Sequence, residues 1–106
     1  MATLRHNITT VLTQNLLEVG DNVSNAKRIS IANVDSSNTA HVDLFLNKGD
    51  DNYYLLKNIQ IPTKTTLILS QEDNIVFDNS SSGFSLRIQV DNGSTTAVPV
   101  DVMISR

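Results

Sequence analysis

Apolar residues recur along this chain at every second position. From Ala40 to Leu46, Ala40, Val42, Leu44 and Leu46 point one way, and His41, Asp43 and Phe45 point the other. Phe84, Leu86, Ile88 and Val90 alternate in the same way with Ser85, Arg87 and Gln89, and Val98, Val100, Val102 and Ile104 with Pro99, Asp101 and Met103. A period of two marks a strand with one face buried, so these three segments are predicted strands. Lys27–Val34 adds Ile29 and Ile31, then breaks phase before Val34, as a bulge would. Tyr53–Ile61 reads as one strand or two short ones, Lys64–Leu69 alternates through Thr65, Leu67 and Leu69, and Asn74–Phe77 offers Ile75 and Phe77. Near the N-terminus, Thr-rich Asn7–Leu12 reads as an edge strand, with Leu16 and Leu17 in a second short piece. Thr13–Val19 has room for a turn of helix, but no long segment carries a capped 3.6-residue period.

Turn-forming residues separate these pieces: Asp35–Asn38, Lys48–Asn52, Pro62-Thr63, Gln71–Asp73, Asn79–Gly83 and Asp91–Ser94. Short strands recurring about every 8–12 residues predict an all-β fold. The expected architecture is an antiparallel β-sandwich, jelly-roll or immunoglobulin-like, of about seven to nine short strands. It forms one domain over residues 1–106, with residues 1–20 an edge strand or an interface arm. The expected core is Ile29, Ile31, Val42, Leu44, Leu46, Leu67, Leu69, Leu86, Ile88, Val100 and Val102, all in phase within their strands.

Composition narrows the functional classes. Hydrophobic residues make up 40% of the 106, enough for a packed core and against a disordered chain. A formal net charge of −3 supplies no basic stripe for nucleic acid and no attraction to an anionic membrane, so neither is an expected partner. The absence of cysteine removes disulfides, thiolate zinc sites and cysteine nucleophiles. Met1–Thr10 lacks the apolar core of a signal peptide, and no stretch approaches the roughly 18 apolar residues of a membrane-spanning helix.

Candidate chemistry is sparse. The two histidines are His6, in the terminal segment, and His41, which shares a polar strand face with Asp43. Two residues along a strand is the spacing any polar face produces, so His41 reads as a solvent-facing histidine. No nucleophile elbow or phosphate-binding glycine loop is present. Asp50, Asp51 and Asn52, and then Glu72, Asp73 and Asp78, make oxygen-rich loops, but their spacing does not match a calcium loop. The expectation is no catalytic residue, no cofactor and no metal. The apolar residues out of place are more informative. Tyr53 and Tyr54 must point to opposite faces of a strand, one to the core and one to the surface, while Phe45 and Met103 interrupt polar faces. Phe45, Tyr53, Tyr54 and Met103 are therefore the candidate interface residues, or lie under a covering loop. Ala2–Leu12 is a second candidate contact, able to pair with a neighbour's sheet edge.

Three stretches in order, KRISIANVDSSNTAHVDLFL (Lys27–Leu46), YYLLKNIQIPTKTTLIL (Tyr53–Leu69) and VPVDVMIS (Val98–Ser105), resemble small virion-associated proteins of tailed bacteriophages, especially of marine and cyanobacterial hosts. The Thr-rich start NITTVLTQNLLEV (Asn7–Val19) fits the same pattern. Where that family often has a glycine-aspartate turn before the penultimate strand, this chain has Asp78–Gly83. The resemblance implies a non-enzymatic structural component of the capsid, neck or tail. It would be made in the bacterial host cytoplasm and placed in the virion, where it contacts its own copies and other virion proteins. The same residues leave open a carbohydrate- or receptor-binding sandwich with Lys48–Asn52 and Asn79–Gly83 at its binding end, and, further off, a small hydrolase with a loop-borne carboxylate pair.

Overall fold

Alternation becomes strand in eight places: β1 (Thr3–Ile8), β2 (Gln14–Leu17), β3 (Arg28–Asn33), β4 (Ala40–Lys48), β5 (Asp51–Ile61), β6 (Thr66–Ser70), β7 (Ser85–Asp91) and β8 (Val100–Ser105). These come from a computed structural model that describes residues 3–21, 27–70 and 77–105, and no helix occurs among them. The strands form two antiparallel four-stranded sheets, sheet A in the order β1-β8-β3-β6 and sheet B in the order β2-β7-β4-β5. Every connection between consecutive strands changes sheet except the β4–β5 hairpin. The pairs β4–β5, β3–β6, β2–β7 and β1–β8 are successive rungs of one long antiparallel ribbon. Rolling that ribbon brings β3 beside β8 and β4 beside β7. This strand order is a jelly roll and not the immunoglobulin-like alternative.

The ribbon folds back at a two-residue loop. Lys48 pairs with Asp51, leaving Gly49-Asp50 between them with Gly49 at φ 63°. Glycine at the first central position is the type II′ arrangement, whose twist matches that of the flanking strands.

Inward residues of both sheets make one core. Ile29, Ile31, Val100, Val102 and Ile104 of sheet A face Val42, Leu44, Leu86, Ile88 and Val90 of sheet B, all fully buried. Leu69 is buried as expected, whereas Leu46 and Leu67 pack against the core only partly buried. Val98 and Phe77 join the core from outside the strands, and β8 itself begins two residues after Val98.

Several expectations shift. The N-terminal strand is Thr3–Ile8, not Asn7–Leu12, because its register is set by β8: Leu4, His6 and Ile8 lie opposite Ile104, Val102 and Val100. Residues 3–8 thus complete the chain's own sheet. Leu16 and Leu17 do lie in a second short strand, Gln14–Leu17, where a register shift between Asn15 and Leu17 lets both bury. Tyr53–Ile61 is a single strand carrying two register shifts against β4. The expected strand at Asn74–Phe77 lies mostly outside the described residues.

The phase break before Val34 is not a bulge. The inward phase of β3 continues to Asn33, which is buried, and the strand ends there, leaving Val34 exposed. The Asn33 amide Nδ2 donates to the carbonyls of Asn38 and Ile61, each at 2.9 Å, and its Oδ1 accepts the Asp35 N–H at 2.9 Å. Its backbone also bonds Thr65 O and Lys64 N. One side chain thus satisfies three backbone groups where the β3–β4 and β5–β6 crossovers meet. Asn79 acts likewise at the opposite end, donating to Glu18 O at 2.9 Å and Phe84 O at 2.8 Å. Beside it, Gly83 approaches the Asp78 carbonyl so closely that a Cβ has no room.

Leu44→Ala is expected to cost about 2–5 kcal/mol, as full burial implies. Asn33→Ala should cost about 1–3 kcal/mol for each buried backbone group left unpaired. Val34→Ala, on the exposed neighbour, should stay within about 0.5 kcal/mol. Urea unfolding of the three variants checks the ranking, and an Asn33→Ala protein as stable as Val34→Ala contradicts the role assigned to Asn33.

Candidate functional site

The four candidate interface residues do not share a surface. Register across sheet B lines up Asn15, Arg87, Phe45 and Tyr54 in one outward-facing row over β2, β7, β4 and β5. Phe45 is only 4% exposed and lies outside the central core. The Tyr54 ring packs against it with centroids 5.0 Å apart, and the Lys57 ammonium sits 4.5 Å from the Tyr54 centroid. Phe45 therefore anchors an outer cluster rather than offering contact area, and Tyr54, 46% exposed, is the accessible ring.

Tyr53 points the other way, opposite Leu46, and meets Phe84 edge-on at 5.8 Å. It stays 53% exposed, so neither tyrosine is a core residue. Both lie on β5, which has no further neighbour in sheet B among the described residues. Met103 belongs to sheet A, in the outward row Arg5–Met103–Ser30–Ile68. The outer faces of the two sheets look in opposite directions, so Met103 is on the far side of the sandwich from Phe45 and Tyr54. Ile68, 53% exposed, joins Met103 across the small Ser30. Its signal was present in the sequence, since alternation that turns Leu67 and Leu69 inward turns Ile68 outward.

The polar strand face around His41 is organised by a bulge. Asn58 has φ 53°, and its N–H donates to Asp43 Oδ1 at 2.7 Å instead of a strand carbonyl. Lys57 Nζ reaches Asp43 Oδ2 at 3.3 Å, and His41 Nδ1 lies 3.0 Å from Asn58 Oδ1. Asp43 thus holds the bulge and does not orient His41. Together with Asp91 and Gly93 these residues line a shallow polar hollow of about 310 Å³. Gly93 N donates to Asp91 Oδ1 at 2.8 Å, which ties the hollow's rim into a turn.

A larger cleft of about 560 Å³ opens at the other end of sheet B, between the Lys48–Gly49 hairpin and the Ser81–Gly83 loop. These are parts of the two loops singled out in the sequence as a possible binding end. Of the acidic loop residues, Glu72 and Asp73 lie outside the described residues. Asp50 and Asp51 belong to the hairpin, and no group of three metal-binding side chains occurs among the described residues.

Two carboxylates are engaged in turns instead. Asp35 is held below its ordinary pKa of 3.8 by hydrogen bonds from the Asn38 side chain and the Ser37 N–H, and Asp78 by the Ser80 hydroxyl and N–H. A depressed folded-state pKa contributes stability that is present above 3.8 and lost as the pH falls through the folded value. Thermal melts between about pH 2 and pH 6 should show Asp35→Asn and Asp78→Asn flattening this acid limb, while the wild-type protein loses stability below 3.8. Comparison with known proteins finds no family model, no curated relative and no solved structure that matches this chain.

Proposed function

We infer that the chain is a non-enzymatic structural component of a tailed-phage virion, acting in multiple copies through protein–protein contacts in the capsid, neck or tail. The observation that carries this reading is the placement of exposed apolar side chains on opposite sides of the sandwich. Ile68 and Met103 stand on the outer face of sheet A and Tyr54 on the outer face of sheet B, with Tyr53 and Ile59 exposed on the other side of the same edge strand β5. A subunit that assembles repeatedly needs two distinct contact surfaces, and a single chain with opposed patches supplies both. The jelly roll recurs in capsid subunits and also in lectins, so the strand order is compatible with this reading without selecting it. The resemblance of Lys27–Leu46, Tyr53–Leu69 and Val98–Ser105 to virion-associated proteins supports a place in the particle.

Contact through faces suits the molecule better than contact through strand edges. The longest edge strand, β5, is bulged at Asn58 and carries Lys57 beside the bulge, two devices that discourage edge-to-edge pairing. Residues 3–8 are already paired with β8 and place Ile8 in the core, so an N-terminal arm reaching to a neighbour would have to leave its own sheet.

Light scattering on the purified protein should show self-association that Ile68→Asp and Met103→Asp weaken together, with melting temperature unchanged because both side chains are exposed. Tyr54→Asp tests the second surface; Phe45→Asp would test folding, because it buries a carboxylate. Mass spectrometry of purified virions should find the wild-type chain in many copies. Full incorporation of the Ile68→Asp/Met103→Asp and Tyr54→Asp proteins would remove both surfaces from the account, and absence of the chain from particles would remove the virion reading itself.

A further inference from the structure

The cleft beside the Lys48–Gly49 hairpin has a floor, two tied walls and a definite chemistry. Its floor is made by two outward rows of adjacent strands, Asn15 of β2 beside Arg87 of β7 and Asn47 of β4 beside Ser85 of β7. One wall is the hairpin, where Asn47 Nδ2 donates to Asn52 Oδ1 at 2.7 Å. The other is the Ser81–Gly83 loop. Gly83 N donates to Ser80 O at 2.9 Å, Phe84 N donates to Asp78 O at 2.7 Å, and the buried Asn79 ties the loop to Glu18 where the chain leaves β2. Walls already held in place lower the ordering cost of binding.

The groups facing this space are mostly neutral donors and acceptors: the Asn15 amide and the Ser81 and Ser82 hydroxyls. Among them stands one guanidinium. Arg87 Nε donates to Ser85 Oγ at 3.2 Å, and the ion pair found among the described residues is Lys57–Asp43, on another part of the sheet. The second cation, Lys48, lies over the Phe84 ring at 5.6 Å, with Asp78 within reach of its charge. Glu18 also borders the cleft, which disfavours a polyphosphate or a strongly acidic peptide. A polyhydroxylated ligand with one carboxylate matches this set: a guanidinium fork for the carboxylate, amide and hydroxyl groups for the ring oxygens, and Val19 for an apolar sugar face.

We propose that this cleft binds a carboxylate-bearing saccharide, of the uronic or sialic type, with the carboxylate on Arg87 and the sugar hydroxyls on Asn15, Ser81 and Ser82. The cleft shares the outward row of sheet B with Phe45 and Tyr54, but none of Tyr54, Ile68 and Met103 lines it, so sugar binding and self-association are read separately and either can fail while the other stands. The probes are trigalacturonic acid and sialyllactose, with the methyl ester of the first and lactose as neutral counterparts. Titration followed by amide chemical shifts should move Asn15, Asn47, Ser81, Ser82, Gly83 and Arg87 saturably with the acidic sugars. The neutral sugars should bind at least about ten-fold more weakly, and Arg87→Gln should bring the acidic sugars down to that level. Ser82→Trp, an exposed substitution that fills the cleft, should abolish binding of both classes with the melting temperature unchanged. The proposal is overturned if neither acidic sugar perturbs these residues, if acidic and neutral sugars bind alike, or if inorganic phosphate or a glutamate-rich peptide binds there as tightly as the saccharides.

Discussion

Backbone polar groups must be satisfied wherever the chain passes between the two sheets, and this constraint governs the molecule. A jelly roll makes that passage at nearly every connection, here at all but the β4–β5 hairpin. Each crossover draws loop peptides over the open ends of the core, where neither water nor a strand ladder serves every carbonyl. Two buried asparagines answer at opposite ends. Asn33 gathers Asn38, Ile61 and Asp35, and Asn79 gathers Glu18 and Phe84. An asparagine amide carries both donors and an acceptor without a charge, which is why it serves in a site too dry for Asp or Lys. Among the described residues, no buried side-chain nitrogen or oxygen is left without a partner.

The same ties that close the core also shape the surface. Asn79 fixes the Asp78–Phe84 loop against the exit of β2, and that loop is one wall of the cleft. The cleft therefore inherits its rigidity from a packing requirement. The polar face around His41 follows a similar logic. Asp43 is occupied by the Asn58 N–H and the Lys57 ammonium, so a histidine and a carboxylate two residues apart serve the bulge of β5 and not each other. Of the exposed apolar side chains, Ile68 and Met103 stand on the outer face of sheet A and Tyr54 on that of sheet B, where Phe45 lies between Tyr54 and the Arg87 of the cleft floor.

Alternation along the chain determined which side chains are buried. A period of two is a property of the extended backbone, so Val42, Leu44, Leu86, Ile88, Val100 and Val102 had to share inward faces whatever the topology. Gly49 likewise marked the hairpin, because its turn requires positive φ. Local sequence also named the two loops that flank the cleft. It did not determine which sheet each strand joins, since in-versus-out phase carries no information about partners. That is why Phe45 and Met103, equivalent in pattern, lie on opposite sides of the sandwich. Nor did it distinguish Asn33 and Asn79 from the many asparagines of surface turns, because their roles depend on carbonyls contributed by residues 28 and 61 positions away. Those distances close only when the ribbon rolls, so the buried hydrogen bonds, the sides of the interface candidates and the cleft itself were settled by tertiary structure alone.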